Sequence, residues 1–265
     1  MAWGTDVTEA KAVIFDLDDT LVVELASAEG AFLATCERAR KRYGIDPAML
    51  HESVRRRARE LWHASPERDY CLEIGISSWE GMWGDFGGDG PSLKALREWT
   101  PAYRREAWAR ALADRGVREG AFAEELAELF PVERRKLHVA FPDAEPVLKR
   151  LRGEFRLALL SNGAPRIQRE KLEGSGLEGY FDAIVISGEL GVGKPDPRIY
   201  HRTVEQIGVA PQEAVMVGNS LEKDFLGARR AGLRALWLNR DGEPCPEQVQ
   251  PDAVIESLAK IPDLL

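Results

Sequence analysis

Five short stretches of the chain are apolar at nearly every position: 12–15, 156–160, 183–186, 214–217 and 235–238. Runs that are apolar throughout, rather than alternating, predict strands covered on both faces, as in a parallel sheet. Helical periodicity fills the intervals between the last four. One helix opens at Pro142-Asp143, with Asp143 as the expected N-cap, and runs to about Arg152. A second spans Ile167 to Leu172 and ends at Gly174. The others cover Pro197 to Ile207 and Leu226 to Ala231, each closed by a glycine, Gly208 and Gly232. Strand, helix, strand in succession predicts a doubly wound, Rossmann-like α/β core with a parallel sheet.

The stretch from about Val22 to Ala140 breaks that rhythm and contains no convincing strand. Leu25, Ala28, Phe32, Cys36, Ala39 and Tyr43 form one apolar helical stripe that stops at Gly44. Asp46-Pro47 starts a second helix with Leu50, Val54 and Leu61 on its buried face. Ser65-Pro66 and Thr100-Pro101 read as further starts, and Glu119 to Leu129 as one more helix. Gly84 to Gly90 reads as a glycine-rich loop, the most flexible stretch by composition. The expected organisation is an α/β core of residues 11–22 and 141–265, interrupted by an all-helical domain over 23–140. Within that insert, the run Arg55-Arg56-Arg57 and Arg59 reads first as a solvated helix face. Trp62, Trp79, Trp83, Trp99 and Trp108 read first as packing between helices.

Composition narrows the functional classes. The 265 residues are 44% hydrophobic, enough for a substantial core. Lys and Arg number 36 against 44 Asp and Glu, a formal charge of 36 − 44 = −8. Such a surface repels a phosphate backbone and anionic lipid, so neither nucleic acid nor membrane is an expected partner. The three cysteines, Cys36, Cys71 and Cys245, are far apart and form no CxxC. A disulfide framework or thiolate zinc site is therefore not expected, and a reducing cytoplasmic setting is. Residues 1–10 carry neither a basic residue nor an apolar run of the kind a signal peptide needs.

In an open parallel sheet, ligands bind outside the carboxyl ends of the strands. After the first strand comes Asp16-Leu17-Asp18-Asp19-Thr20, and after the second Ser161-Asn162-Gly163. Past the third comes Gly193-Lys194-Pro195-Asp196-Pro197, and past the fourth Gly218-Asn219-Ser220 with Asp224 further on. Turns between strands and helices are often rich in Asp, Ser and Gly for capping alone. Carboxylates, a hydroxyl, an amide and a lysine at four successive strand ends exceed what capping requires. The pattern resembles the haloacid dehalogenase-like (HAD) hydrolase superfamily. DLDDT at 16–20 matches its DxDx[TV] motif, Ser161 in LLSNG its second motif and Lys194 in GKPDP its third. GNSLEKD at 218–224 stands where the family usually has GDxxxD or GDxxxxD. The helical insert occupies the place of the family's C1-type cap, after the first motif.

The resemblance implies a phosphatase that forms a phospho-aspartate on Asp16. Asp18 would be the general acid and base, a role typically worth about 10²–10⁴ in rate. Thr20, Ser161 and Lys194 would bind the phosphoryl group, joined by the amides of Asn162 and Gly163. It also implies Mg²⁺, held by the Asp16 carboxylate, the Asp18 carbonyl and the fourth motif, here Asn219 and Asp224. Asn219 replaces the family's first acid there, so weaker metal binding is expected. An asparagine at this place also occurs in the metal-free dehalogenase branch, which lacks the second acid that this chain keeps as Asp18. The expected substrate is a small phosphorylated metabolite. The alternatives are a phosphomutase, a dehalogenase, or a catalytically weak homologue that only binds a ligand.

Overall fold

A computed structural model describes residues 9–246, 249 and 253–265. Six parallel strands form one sheet in the order β3-β2-β1-β4-β5-β6. They are β1 (Ala12–Phe15), β2 (Arg156–Ser161), β3 (Ala183–Ile186), β4 (Ala214–Gly218), β5 (Arg234–Leu238) and β6 (Val254–Ile255). The first five coincide with the five apolar runs. The sixth is two residues long, too short for any periodicity to announce it.

Alternation within the apolar runs sorts their side chains to opposite faces. Val13, Phe15, Leu157, Leu159, Val215 and Val217 enter one cluster with Val147, Leu148 and Leu151 of α7 (Ala144–Leu151). Ala12, Ile14, Ala158, Leu160, Ala214 and Met216 enter the other with Ile199, Tyr200 and Val204 of α9 (Pro197–Gln206). A strand covered on both sides has no polar positions to spare, which is why these runs read as continuous. Asp143 stands at the N-cap position of α7 but its side chain does not cap it. It is drawn instead to Arg240 (2.9 and 3.0 Å), the Ser257 hydroxyl (2.6 Å) and the Leu258 amide (2.9 Å).

Chain contacts divide the protein into two units: residues up to 23 with 139–162 and 171–265, and 24–138 with 163–170. The second is entirely helical apart from its loops: α1 (Leu25–Tyr43), α2 (Pro47–His63), α3 (Arg68–Ile74), α4 (Ser78–Gly81), α5 (Pro91–Ala113) and α6 (Gly120–Arg135). The segment 163–170 carries the start of α8 (Pro165–Gly174), and its Ala164 and Ile167 join the helical unit's core. That core is aromatic: Phe32 stacks on Phe130 at 4.1 Å between ring centroids, and Trp99 on Tyr103 at 4.8 Å.

Thr100-Pro101 does not start a helix. Pro101 lies inside α5, which begins at Pro91. Leu93, Leu96, Thr100, Tyr103 and Ala107 keep a buried stripe in phase across it, and that burial outweighs the lost backbone bond. The third helix likewise begins at Arg68, past Ser65-Pro66. The Gly84–Gly90 loop is anchored rather than loose: Phe86 is buried, Arg104 donates to the carbonyls of Gly81 and Gly84, and Arg97 to that of Phe86. The arginine run does face outward in part, with Arg56 and Arg57 bonded to Asp114 and Arg55 over the Trp79 ring.

Candidate active site

β1 lies between β2 and β4, and the chain crosses it on the way from β3 to β4. The carboxyl end of β1 is thus the point where the winding changes direction, the place where doubly wound sheets leave a crevice for ligands. Asp16 is the first residue past β1, and its amide still bonds the Val217 carbonyl at 2.9 Å. The backbone then curls. The amides of Thr20, Leu21 and Val22 all reach the Leu17 carbonyl, with Asp19 in the left-handed region at φ 55°. Aspartate tolerates that conformation better than most residues. The curl brings Thr20 back over Asp16, and its hydroxyl donates to Asp16 Oδ2 at 3.0 Å.

The other oxygen of Asp16 meets a lysine. Lys194 Nζ donates to Asp16 Oδ1 at 2.6 Å and to Asp224 Oδ1 at 2.7 Å. All three side chains are less than a tenth exposed. Burial pushes the Asp16 carboxyl up to about 7, against the pull of Lys194, and the negative charges of Asp224 and Asp18 push the same way. Burial disfavours the charged form of Lys194, but Asp16 and Asp224 outweigh it and keep the ammonium firmly protonated.

Lys194 is held by its backbone as well. Asn162 Oδ1 accepts from the Lys194 amide at 2.8 Å, and its Nδ2 donates to the Lys194 carbonyl at 2.9 Å. The Asn162 side chain therefore positions the third motif, a role beyond the amide contribution expected of it. Ser161 ends β2, buried, beside β1. Gly163 belongs to the helical unit, where at φ 144° an added Cβ would stand 2.9 Å from Gln168.

The fourth motif divides its labour. Asp224 is 1% exposed, and its second oxygen accepts from the Ser220 amide at 2.8 Å. Both its oxygens are thus committed, one to Lys194. Asn219 is exposed, its amide N–H bonds Thr20 Oγ1 at 3.1 Å, and its carbonyl accepts from Trp237 Nε1 at 2.9 Å. Thr20 therefore joins Asp16 to Asn219. The Thr20 hydroxyl is itself fully buried and spent on these two neighbours.

Among the described residues no three His, Cys, Asp or Glu side chains converge on one metal position. Of the groups the resemblance implies for a cation, the Asp16 carboxylate, the Asp18 carbonyl and the Asn219 amide oxygen would make an oxygen-only set of low charge, whereas both oxygens of Asp224 are taken by Lys194 and the Ser220 amide. An oxygen-only set of this kind suits a hard cation that keeps several of its waters.

Two partners of the site carried no signal in the sequence pattern. Lys171, in α8, donates to both oxygens of Asp18 at 3.0 Å. Arg240, past β5, donates to the Thr20 carbonyl at 3.1 Å. Both sit among charged residues that read as surface.

A profile of the haloacid dehalogenase-like hydrolases matches residues 10–232. The chain belongs to this family. It is 38% identical over 252 residues to a phosphoserine phosphatase of Thermus thermophilus, covering 95% of this chain and 97% of that one. It is 30% identical over 264 residues to the N-acylneuraminate-9-phosphatase of Mus musculus, covering 98% and 95%. In fold it resembles the putative HAD-hydrolase YfnB of Bacillus subtilis, solved bound to magnesium, with a TM-score of 0.67 at 20% identity over 97% of this chain and 99% of that one. This haloacid dehalogenase-like hydrolase is an enzyme of the phosphatase branch. No helix among its described residues is long and apolar enough to cross a membrane.

Proposed function

We propose that this HAD-like hydrolase cleaves the phosphate monoester of a small metabolite through a phospho-aspartate on Asp16. The observation that carries this is the lysine bridge: Lys194 Nζ on Asp16 Oδ1 at 2.6 Å, with Thr20 on the other oxygen. A carboxylate held by both oxygens at a strand end is an oriented nucleophile, and in-line phosphoryl transfer depends on orientation and charge neutralisation more than on any other chemistry.

The steps balance as follows. A carboxylate oxygen of Asp16 bonds to phosphorus as the ester P–O bond breaks, and the Asp18 carboxyl gives its proton to the departing alcohol oxygen. Water then attacks the phosphorus of the acyl phosphate, Asp18 takes back a proton, and the bond to Asp16 breaks to release phosphate. Ser161 and Lys194 bind the phosphoryl oxygens. The Asp16 carboxylate, the Asp18 carbonyl and the Asn219 amide oxygen would hold magnesium, which would supply neutralisation of the negative charge on the phosphoryl group. With Asn219 in place of an acid, half-saturation should need more magnesium than in Asn219→Asp.

The helical unit serves as the cap that selects the substrate. The two full-length relatives act, by name, on phosphoserine and on an N-acylneuraminate 9-phosphate. Both compounds join a phosphate ester to a carboxylate-bearing metabolite, so we assign the substrate to that class. The test is phosphate release from a panel of phosphoserine, N-acylneuraminate 9-phosphate, sugar phosphates and nucleoside monophosphates, with and without magnesium. Turnover of at least one ester, dependent on magnesium and abolished in Asp16→Asn, is expected. No release from any ester, or equal release by the variant, would end this reading.

A further inference from the structure

The site contains two buried lysines, and only Lys194 follows from the family pattern. Lys171 is the other. Its side chain is 1% exposed, whereas Arg166 on the same helix faces solvent. A lysine is almost never buried this fully unless its charge is paired. The pairing here is symmetrical: Nζ stands 3.0 Å from Asp18 Oδ1 and 3.0 Å from Oδ2. Asp18 itself remains partly open, with 27% of its side chain exposed.

The two lysines divide the carboxylates between them. Lys194 holds Asp16 and Asp224, and Lys171 holds Asp18. Asp16 and Asp18 repel one another, as the upward push of Asp18 on Asp16 indicates. Left alone, Asp18 would turn away from Asp16 toward water. A cation on both of its oxygens fixes the rotation of the carboxyl plane. A carboxylate has about four lone-pair positions, and the Asp18 side chain is not closed off by the lysine, since 27% of it is exposed.

We propose that Lys171 is a positioning residue for proton transfer, aiming Asp18 at the oxygen that leaves phosphorus. This rests on Asp18 being the acid and base of the phosphatase reading. In the step concerned, the Asp18 proton passes to the alcohol oxygen as the P–O bond breaks. An alkyl alcohol needs that proton to leave, and p-nitrophenol, a far better leaving group, does not.

The experiment compares kcat/KM for an alkyl phosphate and for p-nitrophenyl phosphate with magnesium present. Lys171→Met should lose about 10- to 100-fold more on the alkyl ester than on the aryl ester, less than the roughly 10²–10⁴-fold that general acid catalysis supplies in full, because Asp18 itself remains. Lys171→Arg should recover part of the loss. In the Asp18→Asn background, Lys171→Met should leave the alkyl-to-aryl ratio unchanged, because the group it aims is gone. Equal losses on both esters, or the same change in ratio without Asp18, would reduce Lys171 to a structural residue and overturn the proposal. Should Lys171→Met fail to fold, Lys171→Gln carries the same comparison. Wild-type turnover of both esters, absent in Asp16→Asn, is the control. Its failure sinks the phosphatase reading, whereas a failed ratio with the control intact sinks only the role of Lys171.

Discussion

Asp16 shows how one side chain carries both a cost and a capability. Its carboxyl is buried among Lys194, Asp224 and Asp18, and burial pushes it up to about 7. An acid with a folded-state pKa above its ordinary value, near 3.9, keeps its proton longer in the folded chain than in the unfolded one. The stability this represents is full below about pH 4 and is lost as pH rises through about 7. Asp16→Asn removes the ionisation. Without divalent metal, the variant should therefore melt several degrees above the wild type near pH 8, with the gap closing near pH 4. Paired thermal melts in a chelating buffer check this, and a gap that does not change with pH would contradict it. On the proposed reading, the nucleophile is also the residue whose ionisation costs the metal-free fold stability, a common trade at catalytic positions.

At the scale of elements, the turn after β4 depends on a close approach. Gly218 ends that strand, and a Cβ there would stand 2.3 Å from Asp224 Cγ. The six-residue π-helix Leu221–Leu226 follows, capped by Ser220 on the Lys223 amide. Its wider coil carries Asp224 back under Gly218, where its carboxylate meets Lys194. Gly218→Ala should force Asp224 off Lys194, costing about 1–3 kcal/mol of stability together with most of the activity. Gly120, at the start of α6, has open space at its Cβ position. Gly120→Ala should be neutral or stabilising by about 0.5–1 kcal/mol. Urea unfolding with turnover assays on both variants tests the contrast, and similar behaviour of the two would count against it.

On the scale of the whole molecule, the chain leaves the sheet at Val23 and returns at Val139, and these two positions are bonded to each other. The Val23 amide donates to the Val139 carbonyl at 2.9 Å, and the Phe141 amide to that of Leu21 at 2.9 Å. Entry and exit are adjacent, so a long insert interrupts the core without disturbing its strand order. The helical unit closes its own ends by a buried pair: Glu24, ahead of α1, accepts from Arg134 near the end of α6. Arg134 also lies over the Trp83 ring, 5.0 Å from its centroid. Glu24→Ala would strand a buried guanidinium and should destabilise the protein by about 3–5 kcal/mol. The double change Glu24→Leu with Arg134→Met should recover much of that loss, since an apolar pair needs no charge partner. Chemical denaturation of the single and double variants provides the measurement, and a double variant as unstable as the single one would contradict the account.

The sequence by itself determined the strands, because a strand covered on both faces must be apolar along its length, and β1 to β5 are. It also determined the order of the four motifs, since Asp16, Ser161, Lys194 and Asn219 each lie at or past the end of a strand, and parallel strands bring their carboxyl ends to one edge. Tertiary structure alone decided which charges meet. Nothing local distinguishes Lys171 from the arginines around it, or Arg240 from a surface residue, until folding sets them beside Asp18 and Thr20 across more than a hundred positions of chain. It also overrode Pro101 inside α5 and took Asp143 from its cap to Arg240, Ser257 and Leu258. Periodicity records what faces the core. A buried ion pair is a meeting of two distant residues, and neither of them marks it alone.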